Sequence, residues 1–282
     1  MAVLQRLSHA AGRLNAAPAS VNAASQVAEV LQSVRRSEHS EPPCWVFLGP
    51  PGVGKGTYSS RIAEIMGVPH IAAGDLVRNE IGLQTSVGLQ AAAKVRNGEL
   101  LSDTLMFQLL QNRLDRGRRQ GESGFLLDGF PRTLAQAQTL TLFSDVHLAV
   151  NLHVRKEVLI EKCLGRRVCS HCRKNYNVAN INIPASASQP AIQMPPLEAP
   201  PECQPFLETR SDDNLVTVQR RLEVYQEEAQ PVENFFKREG LLLDFEITAG
   251  IPQTLPRLQA ALQPYHWDAH ISAQAGEAAM HA

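Results

Sequence analysis

Residues 49–57 read Gly49-Pro50-Pro51-Gly52-Val53-Gly54-Lys55-Gly56-Thr57 and directly follow the apolar run Trp45-Val46-Phe47-Leu48. The apolar run is typical of a buried strand, and apolar residues with helical spacing follow from about 54 to 66. A glycine-rich turn between a strand and a helix lets backbone N–H groups converge on phosphate oxygens, and the helix N-terminus adds positive potential. The ammonium of Lys55 can then reach the outer phosphates. The stretch therefore predicts a phosphate loop, and its nine residues are candidate ligands of a nucleotide.

The stretch departs from the common phosphate-loop motif at one position. Gly56 follows Lys55 where the motif has Ser or Thr, and the hydroxyl comes one place later, at Thr57. Direct coordination of Mg²⁺ by a loop hydroxyl is therefore a weaker expectation here than in proteins with the common motif.

Further apolar segments outline the rest of the fold. Four of them are typical of short strands, and they lie at 69–72, 125–127, 146–152 and 241–245. Because these strands alternate with segments of helical spacing, we predict an α/β fold with a parallel five-stranded sheet covered by helices on both faces. One segment breaks the alternation: 179–205 contains seven prolines, too many for a helix or a central strand. We expect a long irregular insertion there.

Composition limits the classes of function. The chain has 282 residues, with 27 basic and 28 acidic side chains. This balance is unsuited to general nucleic-acid binding, which needs a clustered excess of Lys and Arg. No run of 18 apolar residues is present, so we expect no membrane-spanning helix. Any anion must therefore be bound by a local site.

The two ends of the chain differ from its centre. Residues 1–36 contain four arginines and one acidic residue, with apolar residues at helical spacing. This pattern predicts that 1–40 is an organelle transit peptide, and a disordered leader is the alternative. We favour a mitochondrion as the destination, with the chloroplast as the alternative. The polar, Ala-rich segment 266–282 is expected to be a disordered tail.

Charged residues near the predicted strand ends indicate a second phosphate site. Asp128 ends a strand beside the phosphate loop, where a carboxylate can orient Mg²⁺ and its waters. Arginines are dispersed at strand ends and around the insertion; they include Arg78, Arg132, Arg166, Arg210 and Arg221. Such a set suits a reaction that brings two phosphate-bearing molecules together, because their repulsion must be neutralised and an in-line geometry maintained.

These motifs together resemble those of the adenylate kinases. The resemblance runs from about Cys44 to Leu262 and is most specific at Asp128-Gly129-Phe130-Pro131-Arg132. It also rests on the phosphate loop, Gly74-Asp75-Leu76-Val77-Arg78, Gly165-Arg166-Arg167-Val168 and Thr209-Arg210-Ser211-Asp212-Asp213. It implies a P-loop kinase core over 41–265, containing an NMP-binding insert at 71–100 and a lid at 167–209. Residues 177–182 resemble the plant and algal organellar branch, which supports the prediction of a transit peptide.

The resemblance also implies a reaction, ATP + AMP = 2 ADP with Mg²⁺, and a role for each matching residue. The loop residues 49–57 and Arg166 would bind ATP. AMP would be bound by Ala73, Arg78, Gly98, Leu100, Gly129, Arg132, Gln136, Arg210 and Arg221. The catalytic set would be Lys55, Asp128, Arg132, Arg166, Arg210 and Arg221. Asp128 would act through Mg²⁺-bound water with Asp75 nearby, and Asp212 would hold the arginines that close with the lid.

One member of the AMP set departs from the family. Ala73 stands where many adenylate kinases have Thr, so one hydrogen bond near the acceptor base is missing. Its loss costs about 0.5–1.5 kcal/mol, which loosens specificity without abolishing binding.

The five cysteines raise the question of a metal. Their odd number argues against a disulfide framework, and Cys169-x-x-Cys172 has the spacing of half a zinc site. Some adenylate kinases have such a site in the lid, and here Cys203 is a candidate third ligand. No obvious fourth ligand follows it in the sequence, so we favour free thiols over bound zinc.

Two alternatives to the main hypothesis remain. Nothing in the phosphate loop recognises the donor base, so another nucleoside monophosphate kinase or a GTP:AMP phosphotransferase fits the same motifs. A nucleotide-binding regulatory or scaffold protein is the non-enzyme alternative, although a pure binder would not need both Arg78 and Arg132. We expect ATP, AMP and ADP as the partners of a monomer, with no nucleic acid and no membrane.

Overall fold

The computed structural model describes residues 43–186 and 190–265. The predicted leader at 1–40 and the predicted tail at 266–282 lie outside the described residues. Within the described part of the chain, every helix is too short or too polar to cross a membrane.

A five-stranded parallel sheet forms the centre of the fold, as predicted. Its strands, in chain order, are β1 Cys44–Leu48, β2 His70–Ala72, β3 Phe125–Asp128, β4 Leu148–His153 and β10 Leu242–Glu246. Their order across the sheet is β10-β4-β1-β3-β2. The predicted strands have the right places, with ends that differ by one or two residues.

Eight α-helices accompany the strands in the described part of the chain. They are α1 Lys55–Met66, α2 Ala73–Gly82, α3 Ser86–Asn97, α4 Asp103–Arg119, α5 Leu134–Phe143, α6 Lys156–Leu164, α7 Leu215–Arg238 and α8 Ile251–Leu262. Most of them follow the strands and cover the two faces of the sheet.

The central strand shows why both faces are covered. Side chains alternate along a strand, so Trp45 and Phe47 enter the apolar layer that contains residues of α1, α6 and α8, whereas Val46 and Leu48 enter the layer beneath α2, α4 and α5. All four are buried. Full burial of such side chains contributes about 1.5–3 kcal/mol each to folding, which explains the continuous apolar run in the sequence.

The parallel arrangement brings the polar segments to one edge. β1, β2 and β3 run in the same direction, so the phosphate loop, the start of α2 and Asp128 all follow the carboxyl ends of neighbouring strands. Ligands of open α/β sheets bind at this edge.

Two insertions extend from this edge. Helices α2 and α3 lie between β2 and α4. Between α6 and α7, a small antiparallel sheet contains β5 Arg166–Cys169, β6 Asn175–Asn177 and β9 Leu207–Glu208. We call this three-stranded unit the lid sheet.

The expectation of an irregular segment over 179–205 is wrong in part. Strands β7 Ile181–Ile183 and β8 Ile192–Met194 pair antiparallel there. The prolines flank these three-residue strands instead of interrupting them, so no ladder hydrogen bond is lost. Ile181, Ile192 and Met194 are buried in the apolar layer with α1 and α8, which provides the energy that orders the segment.

Candidate active site

The phosphate loop is held in its shape by contacts that exclude larger residues. A Cβ atom at Gly52, whose φ is +86°, would lie 2.5 Å from the Leu159 carbonyl oxygen and 2.8 Å from the Cys163 sulfur. Val53 is fully buried in the core and therefore offers only its backbone to a ligand. Lys55, the first residue of α1, donates hydrogen bonds from Nζ to the carbonyls of Gly49 at 2.7 Å and Pro50 at 3.1 Å. These two hydrogen bonds fix the Lys55 ammonium against the backbone of the phosphate loop.

The carboxylate of Asp128 explains the unusual glycine after Lys55. A Cβ atom at Gly56 would lie 2.9 Å from Asp128 Oδ2, so a side chain at this position would displace the carboxylate. Asp128 Oδ2 is also 3.9 Å from His70 Nε2, and that nitrogen is 2.8 Å from the Ser59 hydroxyl. A carboxylate facing the phosphate loop suits a hydrated Mg²⁺ bound to nucleotide phosphates.

A cleft of about 530 Å³ brings most of the predicted site residues together. It is lined by the loop residues Pro51, Gly52, Gly54, Lys55, Gly56 and Thr57, and by Asp128, Gly129 and the five arginines Arg78, Arg132, Arg166, Arg210 and Arg221. Of the other predicted loop ligands, Gly49 lines a smaller adjacent cavity, and Pro50 and Val53 line neither.

The cleft is strongly positive. Its lining includes eight Lys and Arg side chains but only two carboxylates, those of Asp75 and Asp128. Desolvation lowers the pKa of Lys55 to about 8, and the neighbouring Arg132 adds to this shift. Desolvation also lowers the pKa values of Arg132 and Arg210 to about 10. Burial and mutual repulsion disfavour the charges of these cations, and bound anions would stabilise them. The cleft therefore suits a highly charged anionic ligand.

A second, smaller pocket of about 80 Å³ contains the remaining predicted acceptor residues. Ala73, Gly98, Leu100 and Gln136 line it. Gly129, Arg78, Arg132 and Arg221 line both this pocket and the main cleft, whereas Arg210 lines only the cleft. The shared residues show that the two spaces meet at the arginines.

The side chain of Gln136 is engaged within the protein. Its Oε1 accepts a hydrogen bond from the Arg132 backbone N–H at 2.7 Å, and its Nε2 donates to Asp103 Oδ1 at 2.7 Å. One N–H hydrogen and one lone pair of the amide are left for a bound base. Gln136 therefore also sets the position of Arg132.

Comparisons with known proteins identify the family of the chain. The adenylate kinase family model matches residues 47–241, more than half of the chain. The chain belongs to the adenylate kinase family. It is 50% identical over 214 residues to the "Probable adenylate kinase 1, chloroplastic" of Oryza sativa subsp. japonica, covering 76% of this chain and 73% of that protein.

Two further relatives show the range of similarity. The "Adenylate kinase 1, chloroplastic" of Arabidopsis thaliana is 48% identical over 219 residues, covering 78% of this chain and 77% of that protein. A "GTP:AMP phosphotransferase" of Plasmodium falciparum (isolate 3D7) is 35% identical over 212 residues, covering 73% of this chain and 90% of that protein.

The carboxylates of this kinase hold the arginines differently from the sequence-based expectation. Asp212 accepts a hydrogen bond from Arg221 at 2.9 Å, but Arg166 is bound by Asp213, whose two oxygens accept from its Nε at 2.7 Å and from its Nη2. Asp213 also lies 3.6 Å from Arg221 and is buried. The expectation that Asp212 holds these arginines is therefore met for Arg221 but not for Arg166, which is bound by the adjacent carboxylate.

One other expectation needs correction, and Asp75 has a contact that the sequence did not indicate. Arg221 was expected to move with the lid, but it lies on α7, which packs on the core, whereas Arg166 begins β5 and Arg210 follows β9 of the lid sheet. Asp75 pairs with Arg78 three residues along α2, at 2.5 Å, and that ion pair is partly exposed. Its carboxylate thus binds one of the arginines that line the cleft.

Sequence analysis missed several residues that line the cleft or hold its arginines. Asp213 is one of them. Asn175 accepts a hydrogen bond from Arg210 Nη2 at 2.8 Å through its Oδ1. Lys162 lines the cleft beside Gly54, and desolvation lowers its pKa to about 8. No motif indicates either residue: Lys162 lies on α6, before the insertion, and Asn175 lies on β6 of the lid sheet.

The lid sheet packs around three thiols. The sulfur atoms of Cys169, Cys172 and Cys203 all lie within 4.8 Å of one another. No fourth His, Cys, Asp or Glu of residues 43–186 and 190–265 joins this group. The hydroxyl of Tyr176 lies 3.7 Å from Cys203 Sγ and 3.9 Å from Cys172 Sγ.

Proposed function

We propose that this protein catalyses the reversible transfer of a phosphoryl group from ATP to AMP, giving two molecules of ADP. One observation carries the proposal: the cleft of the phosphate loop and the smaller pocket share Arg78, Arg132 and Arg221. Arginines that line both spaces suit two nucleotides whose phosphates face each other. Their positive charges offset the repulsion between the phosphates and align the donor with the acceptor.

The donor would be bound by the phosphate loop. Its backbone N–H groups and the N-terminus of α1 would contact the phosphates, and Lys55 would exchange its carbonyl partners for a phosphate oxygen. Arg166, fixed by Asp213, would stabilise charge on the transferring group.

The acceptor would lie in the smaller pocket. Arg78 and Arg132 would bind the phosphate of AMP, with Arg210 and Arg221 completing the contacts from the lid and from α7. Ala73, Gly98, Leu100 and Gln136 would surround the base. No general base is needed, because the attacking phosphate oxygen is already ionised at neutral pH.

Mg²⁺ fits the site beside Asp128. The carboxylate faces Gly56 at the phosphate loop, so it would bind the ion through water while phosphate oxygens supply the inner ligands. When bound, the ion neutralises charge that develops on the phosphates. Zinc is not part of this proposal, since the three lid thiols have no fourth ligand among the described residues.

We place the protein in the chloroplast and not in the mitochondrion. The printed names of its rice and Arabidopsis relatives describe chloroplastic proteins, and these names do not support the mitochondrion that the leader pattern favours. We also propose that it acts as a monomer, because one chain supplies the whole cation set of the cleft.

A substrate matrix tests this function. Initial rates are measured with ATP or GTP as donor and AMP, CMP, UMP or GMP as acceptor, all with Mg²⁺. We expect ATP with AMP to be the fastest pair by at least about tenfold. GTP as the better donor would support the alternative suggested by the Plasmodium relative. Nucleotide binding without turnover of any pair would support a binding protein and contradict the proposal.

The lowered pKa of Lys55 predicts a pH dependence of ATP binding. Phosphate favours the protonated amine, so affinity is highest below the pKa of about 8 and falls as the pH rises through it. We expect the ATP dissociation constant to rise above pH 8 by a factor that approaches about tenfold per pH unit. Titration calorimetry between pH 7 and 9.5 measures it.

The matched variants for this test are Lys55→Met and Lys94→Met. Lys94 is an exposed residue of α3. Lys55→Met is expected to bind ATP more weakly at pH 7 and to lose part of the pH dependence, the rest arising from Lys162. Lys94→Met should match the unmodified protein. A Lys55→Met variant with the full pH dependence would show that another group is responsible.

A further inference from the structure

The thiols of the lid sheet have a geometry suited to chemistry that the phosphoryl-transfer site does not use. Cys172 Sγ and Cys203 Sγ are 3.5 Å apart, although 31 positions separate them in the chain. Cys169 Sγ accepts a hydrogen bond from the Cys172 backbone N–H at 3.4 Å. Cys169 and Cys203 are buried, whereas Cys172 is partly open to solvent. One accessible sulfur therefore lies against a buried one.

We propose that Cys172 and Cys203 form a reversible disulfide site, which is oxidised by a low-molecular-weight disulfide such as oxidised glutathione and reduced by dithiols.

The reaction is a balanced pair of exchanges. The Cys172 thiolate attacks one sulfur of oxidised glutathione, breaks its S–S bond and releases one glutathione thiolate. The Cys203 thiolate then attacks the Cys172 sulfur of the mixed disulfide and releases the second glutathione. Two protein thiols are oxidised and one glutathione disulfide is reduced, with the two thiol protons going to the two released thiolates.

The solvent exposure of the two cysteines indicates which thiol attacks the external disulfide first. Cys172 is partly open to solvent, so an external disulfide can reach its sulfur. Cys203 is only 4% exposed, so it is shielded from external disulfides and acts as the second, resolving thiol.

The backbone already holds both thiols in place. Cys172 follows β5, and Cys203 directly precedes the 3-10 turn Gln204–Phe206 that leads into β9. These strands pair at Cys169 with Leu207, and the Ser170 N–H donates to the Phe206 carbonyl at 2.9 Å. The new bond would join two segments that are already hydrogen-bonded. It would therefore stabilise the lid sheet by closing a long loop of the unfolded chain.

The test uses the full chain, first reduced and then equilibrated with mixtures of reduced and oxidised glutathione. Intact-mass measurement should show the loss of two hydrogen atoms, and peptide mapping should find Cys172 linked to Cys203. Tm should rise by several degrees on oxidation and return with dithiothreitol. Cys172→Ser should abolish both changes, while Cys44→Ser, a change outside the lid sheet, should retain them. The zinc content of the purified chain is measured in parallel and should be well below one ion per chain.

Three results would overturn the proposal. One is a peptide map that links Cys169 to Cys172. Another is a wild-type chain that takes up glutathione but forms no internal disulfide. The third is stoichiometric zinc that blocks oxidation. Because the map and the mass are obtained on the unmodified protein, a variant that fails to fold leaves the test intact.

Discussion

Replacing Arg132 with alanine is expected to lower kcat by about 10³-fold, while the dissociation constant of ATP changes by no more than about threefold. Arg132 lines both the main cleft and the acceptor pocket, and Gly129 and Gln136 fix its position. The phosphate loop that would bind the donor does not depend on it. The guanidinium therefore contributes where the two phosphates meet, and its loss affects transfer far more than donor binding. Steady-state kinetics and calorimetric ATP titration measure the two effects separately.

Arg118→Ala is the matched control for this variant. Arg118 is an exposed arginine of α4 that pairs with Asp115 at 3.1 Å. The Arg118→Ala variant should have the same kcat and the same ATP affinity as the unmodified protein, within experimental error. An Arg132→Ala variant with wild-type turnover would contradict the assignment of this residue. Equal losses of turnover and ATP affinity would place Arg132 in the donor site instead.

Replacing Asp213 with alanine is expected to lower the free energy of unfolding by about 3–5 kcal/mol. Asp213 binds Arg166 through both carboxylate oxygens, and its side chain is fully buried. Without the carboxylate, the charge of Arg166 stays partly buried with no partner. We also expect a lower kcat, because Arg166 would no longer be held toward the cleft. Chemical denaturation and initial rates measure the two effects.

Asp115→Ala removes the same type of side chain from an exposed Asp–Arg pair. Such pairs contribute about 0.2–1 kcal/mol, so this variant should lose little stability. Asp213→Asn, which keeps the shape of the side chain, should fall between the two in stability. If Asp213→Ala loses no more stability than Asp115→Ala, the buried ion pair does not have the structural role described above.

The parts of the fold that depend on local patterns could be predicted from the sequence. The apolar run before Gly49 and the spacing of the loop residues predict strand, turn and helix together, and Asp128 follows from the next buried strand. Because parallel strands bring their carboxyl ends to one edge, the meeting of loop and carboxylate could be expected before the structure was known.

The parts that depend on side-chain direction could not be predicted. Asp212 and Asp213 are adjacent, and only the turn between the lid sheet and α7 directs one to Arg221 and the other to Arg166. The hairpin of β7 and β8 was missed because prolines between three-residue strands look the same in sequence as prolines in an irregular loop. What orders the hairpin is packing of Ile181 and Met194 on distant helices, which no local pattern reveals.

The most direct test of the whole account is the binding of a bisubstrate mimic, two adenosines joined by five phosphates. If Arg78, Arg132 and Arg221 line both a triphosphate site and a monophosphate site, the mimic should bind at least about 10²-fold more tightly than either ATP or AMP alone, as measured by calorimetry. Binding no tighter than that of ATP would show that the two sites do not face each other, and would contradict direct transfer between them.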